Sequence, residues 1–357
     1  MPDNPFSALR DADVVLDDLP DELAATIEVR DAWIASLPAS ATGMEFLVAD
    51  LQRWTPGMRL RVAFLDGTTG LHRDIAEATR QITEACNLEL DFGVDEQTGG
   101  FRRWTEDDTD YAAEIRVSFD QTGFWSLVGT DSTDQTIGNP AGIVGGHPWQ
   151  RSLNLGGFTT RRPDRWQGTV RHEFMHALAF KHAHQNMRGP CQDEFRWDDD
   201  PGYVPTTDDG GRFVPDAAGR RPGIYTYLAG FPNFWARAKV DHNLRTADDA
   251  TSVAGRFDNA SVMLYRFEPF FYASDPSPCA PTGDGSSLSE EDKRGLRLLY
   301  PSTQPELQAL TEQRRELQSV VAGPVREGGA EPAPQPLAGF ARRIDQVLAE
   351  SLASLPD

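Results

Sequence analysis

Four of the chain's seven histidines fall within one stretch, TVRHEFMHALAFKHAHQN, residues 169–186, and their spacing decides what they can do. His172 and His176 stand four apart, so a helix places both imidazoles on one face, a turn apart, where they can share one ion. Glu173 adjoins that face. H-E-x-x-H is the arrangement in which two imidazoles bind zinc and the glutamate serves as general base. His182 cannot join them along a continuing helix: it would lie ~9 Å along the axis from His176, against a Zn–N bond of ~2.0–2.1 Å. The helix must therefore stop and the chain turn back at Ala179. Three neutral imidazoles would leave Zn²⁺ its full charge and an open position, the condition for activating a water near neutral pH. His184 is expected to orient a ligand or pack nearby. His72, His147 and His242 lack partners at ligand spacing and read as structural or surface residues.

HEFMHALAFKH resembles the metzincin pattern H-E-x-x-H-x-x-G-x-x-H, with Ala179 in place of glycine. Ala there costs roughly 1–2 kcal/mol in the left-handed conformation. Downstream, DNASVMLY supplies Met263 for the Met-turn of that superfamily, a hydrophobic floor under the metal rather than a ligand, since a thioether is too soft for zinc. The two motifs look most like the astacin branch, where the residue at Tyr265 is a further zinc ligand able to swing and stabilise the transition state. An acidic residue usually follows the third histidine in that branch; Ala183 stands there instead. The resemblance covers about Arg61 to Pro301. It implies an α+β fold with two subdomains, a twisted mixed sheet, an active-site helix and a Met-turn, and it favours an extracellular setting. The implied activity is a zinc-dependent endopeptidase acting on proteins or peptides, with His172, His176 and His182 on one catalytic Zn²⁺ and Glu173 and Tyr265 catalytic. An extended substrate would pair with the edge strand near Ser152–Leu155, placing Asn154 and Leu155 in substrate binding. The alternative is a catalytically impaired, metal-stabilised binding or scaffold protein. Glu173 argues against it, because a structural site needs no general base and usually closes its fourth position.

The elements that must carry these residues are legible in outline. MRLRVAFLDG reads as a strand; Leu71, Ile75, Ala78, Ile82 and Cys86 follow helical spacing; AEIRVSFD alternates Ile115, Val117 and Phe119 inward against Arg116, Ser118 and Asp120. Strand, helix and strand imply a crossover into a sheet. GFWSLVGTDS and SLNLGGF read as further short strands, and LSEEDKRGLRLLYP as the closing helix. Residues 1–50 form an acidic extension, a propeptide or packing arm, in which Leu23, Ile27, Ile34 and Leu37 make one helical stripe. Residues 51–301 form the catalytic domain. Residues 302–357 form a tail with a Pro/Gly/Ala linker and a last helix striped by Phe340, Ile344, Leu348 and Leu352, which would contact its own domain or another protein.

Composition narrows the field. A formal charge of −21 at pH 7 argues against nucleic-acid partners, which require clustered Lys and Arg. No apolar run is long enough to span a bilayer, and no signal peptide is visible at the start. Three cysteines permit at most one internal disulfide; Cys191 with Cys279 is the candidate pair, and Cys86 reads as a buried core thiol. The acidic clusters Asp198–Asp200 and Asp208–Asp209 match no defined Ca²⁺ loop and read as solvated turns.

Overall fold

The alternating and near-continuous apolar runs do form a sheet. A computed structural model describes residues 19–35, 52–186, 189–245, 256–312 and 315; the C-terminal stripe Phe340–Leu352 and the linker before it lie outside the described residues. β1 (Arg59–Phe64) pairs in parallel with β2 (Glu89–Asp91) on one side and β3 (Ile115–Ser118) on the other. β5 (Leu153–Leu155) continues the parallel run beside β3, and β4 (Phe124–Ser126) closes it antiparallel, giving the order β2-β1-β3-β5-β4. The fold is thus mixed α+β on a five-stranded mixed sheet.

Between β1 and β2 the chain crosses over through α2 (Thr69–Ala78) and the short α3 (Arg80–Thr83), with the Thr68 hydroxyl capping the first by accepting from Leu71 N–H. Leu71, Ile75, Ala78 and Ile82 are buried, as their spacing requires. Cys86 is partly buried, and burial pushes its thiol up to about 11, so it stays protonated and unreactive.

The alternation expected for β3 is corrected. Arg116 and Ser118 are as buried as Ile115 and Val117, because β3 is an interior strand covered on both faces, where near-continuous burial is normal. The Arg116 guanidinium is held by backbone carbonyls of Ala113, Glu114, Ser132, Gly145 and Gln150. Burial lowers its pKa to about 10, so it remains a cation and pins the loop between β4 and β5.

α4 (Trp166–Ala177) carries the first two histidines across this sheet. Its inner side joins Val62, Phe64, Ile115, Val117 and Leu155 with α8 (Glu290–Leu299) in one core. A second cluster gathers Phe195, Ile224, Leu228, Trp235, Val240 and Leu264 around the Cys191–Cys279 disulfide, with α5 (Cys191–Glu194), α6 (Ile224–Ala229) and α7 (Arg237–Leu244) on it. The disulfide is the pair expected from the sequence. The acidic turns nearby are spent internally: Asp200 pairs with Arg196 and Arg221, Asp208 with Arg212, and Asp199 accepts from Gly223 N–H and the Thr226 hydroxyl.

α1 (Asp21–Ala35) packs Leu23 and Ile27 against Trp125, Leu127, Ile137 and Val144. Arg30 makes a buried ion pair with Asp131, and Gln52 donates to the other Asp131 oxygen at 2.8 Å. Asp21 reaches Lys239 of α7 at 3.3 Å. Ile34, in the stripe expected for α1, is part of the helix backbone, but its side chain and Leu37 lie outside the described residues. Among the described residues no helix is long and apolar enough to cross a membrane.

Candidate metal centre

The three histidines meet. His176 Nε2 lies 3.1 Å from His172 Nε2 and 3.1 Å from His182 Nε2, and the triad is the one grouping of potential metal ligands of its kind among the described residues. Three nitrogens each ~2.0–2.1 Å from one tetrahedral zinc would stand about 3.3 Å apart, so the spacing fits an ion at their centre. The second ring nitrogens of His172 and His176 are already committed. His172 Nδ1 donates to the Val262 carbonyl at 2.8 Å and His176 Nδ1 to the Phe180 carbonyl at 2.7 Å. Each bond fixes the tautomer that leaves Nε2 bare for a metal. All three rings are buried, at 8%, 3% and 7% exposure.

The turn that delivers His182 is the one the spacing demands. After α4 ends, Ala179 takes φ +70°, the left-handed region. Phe180 N–H bonds back to Met175 O at 3.0 Å and Ala179 N–H to His176 O at 2.8 Å, the pair of bonds that closes a Schellman motif. The same turn aims the Phe180 carbonyl at His176. Two carbonyls near the helix end would otherwise lack intrahelical partners; Trp54 Nε1–H donates to Ala177 O at 2.8 Å and the Tyr300 hydroxyl to Leu178 O at 2.9 Å. Beside the turn, a Cβ at Gly129 would lie 1.7 Å from the Gln52 carbonyl oxygen and 3.1 Å from the Ala179 methyl. Only glycine allows that approach.

A second turn supports the centre from the other side. Met263 is buried and belongs to the sheet core, whereas Leu264 and Tyr265 belong to the disulfide-bearing cluster. The centre therefore sits on the seam between the two clusters. Ala183 N–H donates to Met263 O at 3.0 Å, tying the segment after His182 to this turn. The Tyr265 hydroxyl lies 2.7 Å from His182 Nε2, within reach of the same ion or of a group bound to it. Glu173, 2% exposed, follows His172 on α4.

Asn154 and Leu155 are not at an edge, and the expectation for them is corrected. β5 has β3 on one side and β4 on the other, so its backbone ladder is filled. Both residues are fully buried, and Asn154 spends its amide on Gln121 O and Gly123 O, with its oxygen 3.0 Å from the Ser118 hydroxyl. The strands at the two ends of the sheet are β2 and β4, and β4, whose Trp125 and Ser126 are buried, is the one beside β5.

His72, His147 and His242 stand apart from the centre. His72 Nε2 donates to the Asp66 carbonyl, 2.7 Å away, and stacks on Phe64 at 4.0 Å between centroids; burial lowers its pKa. His147 stacks on Trp149 at 4.6 Å, and His242 faces Glu28 at 3.6 Å. The side chain of His184 lies outside the described residues. Sequence reasoning missed Trp54, Tyr300 and Asp292, whose bonds support the centre from distant segments. Asp292 alone had a local signal, since Ser289-x-x-Asp292 is a capping spacing.

These features define a cluster of three imidazoles that could hold a metal ion, two of them on α4 and the third brought back by the turn at Ala179. No family model matches the chain, and no curated protein matches it. Among solved structures it is similar to two of myroilysin, at 23% and 24% identity and TM-scores of 0.46 and 0.41, covering 72% and 70% of this chain and 98% and 86% of those. It is also similar to high choriolytic enzyme 1, a hatching enzyme zinc-protease from Oryzias latipes (medaka fish), at 17% identity and a TM-score of 0.40, covering 71% of this chain and 96% of that one.

Proposed function

We propose that the chain is a zinc-dependent endopeptidase of the metzincin type, resembling the astacin-like branch, with residues 51–301 as its catalytic domain. The observation that carries this reading is the convergence of His172, His176 and His182 through Nε2 while their helix and turn hold the metzincin order. The two hydrophobic clusters that meet at the centre support a two-subdomain reading, and buried Met263 between them supports a Met-turn.

Zinc held by the three imidazoles would supply Lewis acidity, polarising the scissile carbonyl and making a water nucleophilic near neutral pH. Glu173 takes a proton from the attacking water and delivers it to the amine as the peptide C–N bond breaks. Tyr265 donates its hydroxyl to the oxyanion, a contribution of roughly 3 kcal/mol for a well-placed donor. An extended substrate pairs its main chain with β4, the end strand beside β5, so unstructured peptides and exposed loops are the substrate class. The Cys191–Cys279 disulfide favours an oxidising, extracellular setting.

The test is fragmentation of an unfolded polypeptide by the purified protein, with and without a chelator, beside Glu173→Gln. Chelation should abolish cleavage, and the variant should retain zinc while losing about 10²–10⁴-fold in rate. Equal fragmentation in all three samples would remove the reading.

A further inference from the structure

His172 owes its orientation to the Val262 carbonyl, and the position of Val262 is set from another helix. Asp292, in the first turn of α8 and 6% exposed, accepts from the Val262 N–H at 3.1 Å and from the Ser261 hydroxyl at 2.5 Å. Ser261 in turn accepts from the Met263 N–H at 3.0 Å. One carboxylate therefore grips three consecutive residues of the turn, two directly and one through a hydroxyl. The Val262 carbonyl, which shares its peptide unit with the Met263 N–H, meets the imidazole through the 2.8 Å bond to His172 Nδ1.

Asp292 also completes the capping box of its own helix, accepting from Ser289 N–H at 3.0 Å while its own N–H bonds the Ser289 hydroxyl at 2.9 Å. The cap alone would be satisfied by a solvent-facing carboxylate, as capping boxes usually are. Burying it has a desolvation cost, which here is met by donors from the turn. The geometry is that of a carboxylate acting through the backbone of the Ser261–Met263 turn rather than by direct contact with the histidine.

We propose that Asp292 is a positioning residue for the metal centre, holding the Ser261–Met263 turn so that the Val262 carbonyl fixes the ring plane and tautomer of His172. The proposal rests on the zinc reading above. Outer-shell partners of ligating histidines typically govern metal affinity by about 10–100-fold, and that is the effect expected here.

The test compares wild type with Asp292→Asn, Ser261→Ala and Ser289→Ala by competition for zinc against a chromophoric chelator, and by the visible absorption of the cobalt(II)-loaded proteins. Asparagine keeps the shape but offers one acceptor oxygen where the carboxylate offers two, so the Val262 N–H and the Ser261 hydroxyl can no longer both donate to it. Asp292→Asn should weaken zinc about 10–100-fold and shift the cobalt bands, Ser261→Ala should do the same to a lesser degree, and Ser289→Ala should lower stability while leaving affinity and bands as in wild type. A folded Asp292→Asn with wild-type affinity and bands overturns the proposal. Should that variant not fold, Ser261→Ala decides: weakened zinc supports the proposal and unchanged zinc overturns it. Wild-type protein that binds no zinc would instead sink the underlying reading, a distinguishable result.

Discussion

Ala179 occupies the one position between the second and third histidines where a side chain is at odds with the backbone. Its φ of +70° is steep for any residue with a Cβ, at roughly 1–2 kcal/mol, yet the two Schellman bonds and the Trp54 and Tyr300 clasps hold the turn. Ala179→Gly should therefore raise stability by about 0.5–1 kcal/mol, the relief of strain being partly offset by the greater freedom of glycine in the unfolded chain. Urea denaturation checks this, and a less stable variant would mean that the methyl group packs well enough to repay its strain. At this scale most of the centre was legible. The converging histidines and the turning position follow from spacing, because metal coordination imposes distances that few residue patterns meet. Asn154 and Leu155 were misplaced for the converse reason: a three-residue strand does not declare whether its neighbours lie on one side or on both.

At the scale of elements, the sheet, the crossover helix and α4 were readable because their apolar residues repeat with the right period. The loop-rich stretch between α5 and α6 was not, and the structure shows why: it is ordered by side-chain clamps rather than by backbone ladders. Asp200 is the centre of one clamp, with the Arg221 guanidinium as the leading cause of a carboxyl pKa lowered to about 2. An unfolded aspartate titrates near 3.9. The folded value being the lower one, the stabilisation is complete above about pH 4 and is lost as pH falls through about 2. Thermal unfolding followed from pH 5 to 2 should show a steeper fall for wild type than for Asp200→Asn. Parallel curves would mean that the clamp is screened away by solvent, which a half-exposed pair permits.

Across the whole molecule, the centre depends on segments far apart in sequence: Trp54 before β1, the histidines of α4 and the turn after it, the Met263 turn, and Asp292 with Tyr300 in and after α8. No local pattern announces such closure, because each bond joins residues whose separation is set by the completed fold. α1 belongs to the same scheme, touching the sheet end through Leu23 and Ile27 and α7 through Asp21. Its Arg30–Asp131 pair is 7% and 4% exposed. Removing one partner of such a pair leaves an uncompensated buried charge and costs about 3–5 kcal/mol, so Arg30→Ala should lose that much in denaturant unfolding. A loss within about 0.5 kcal/mol, as at an ordinary surface site, would show that α1 is only loosely applied and would favour a removable segment over a packing arm.

Zinc K-edge absorption on the metal-loaded protein addresses the central claim without recourse to activity. Convergence of His172, His176 and His182 predicts three imidazole nitrogens at about 2.0–2.1 Å, with oxygen in the remaining coordination and no sulfur, and one nitrogen fewer in His182→Ala. A sulfur shell, four imidazoles, or a spectrum unchanged by that substitution would contradict it.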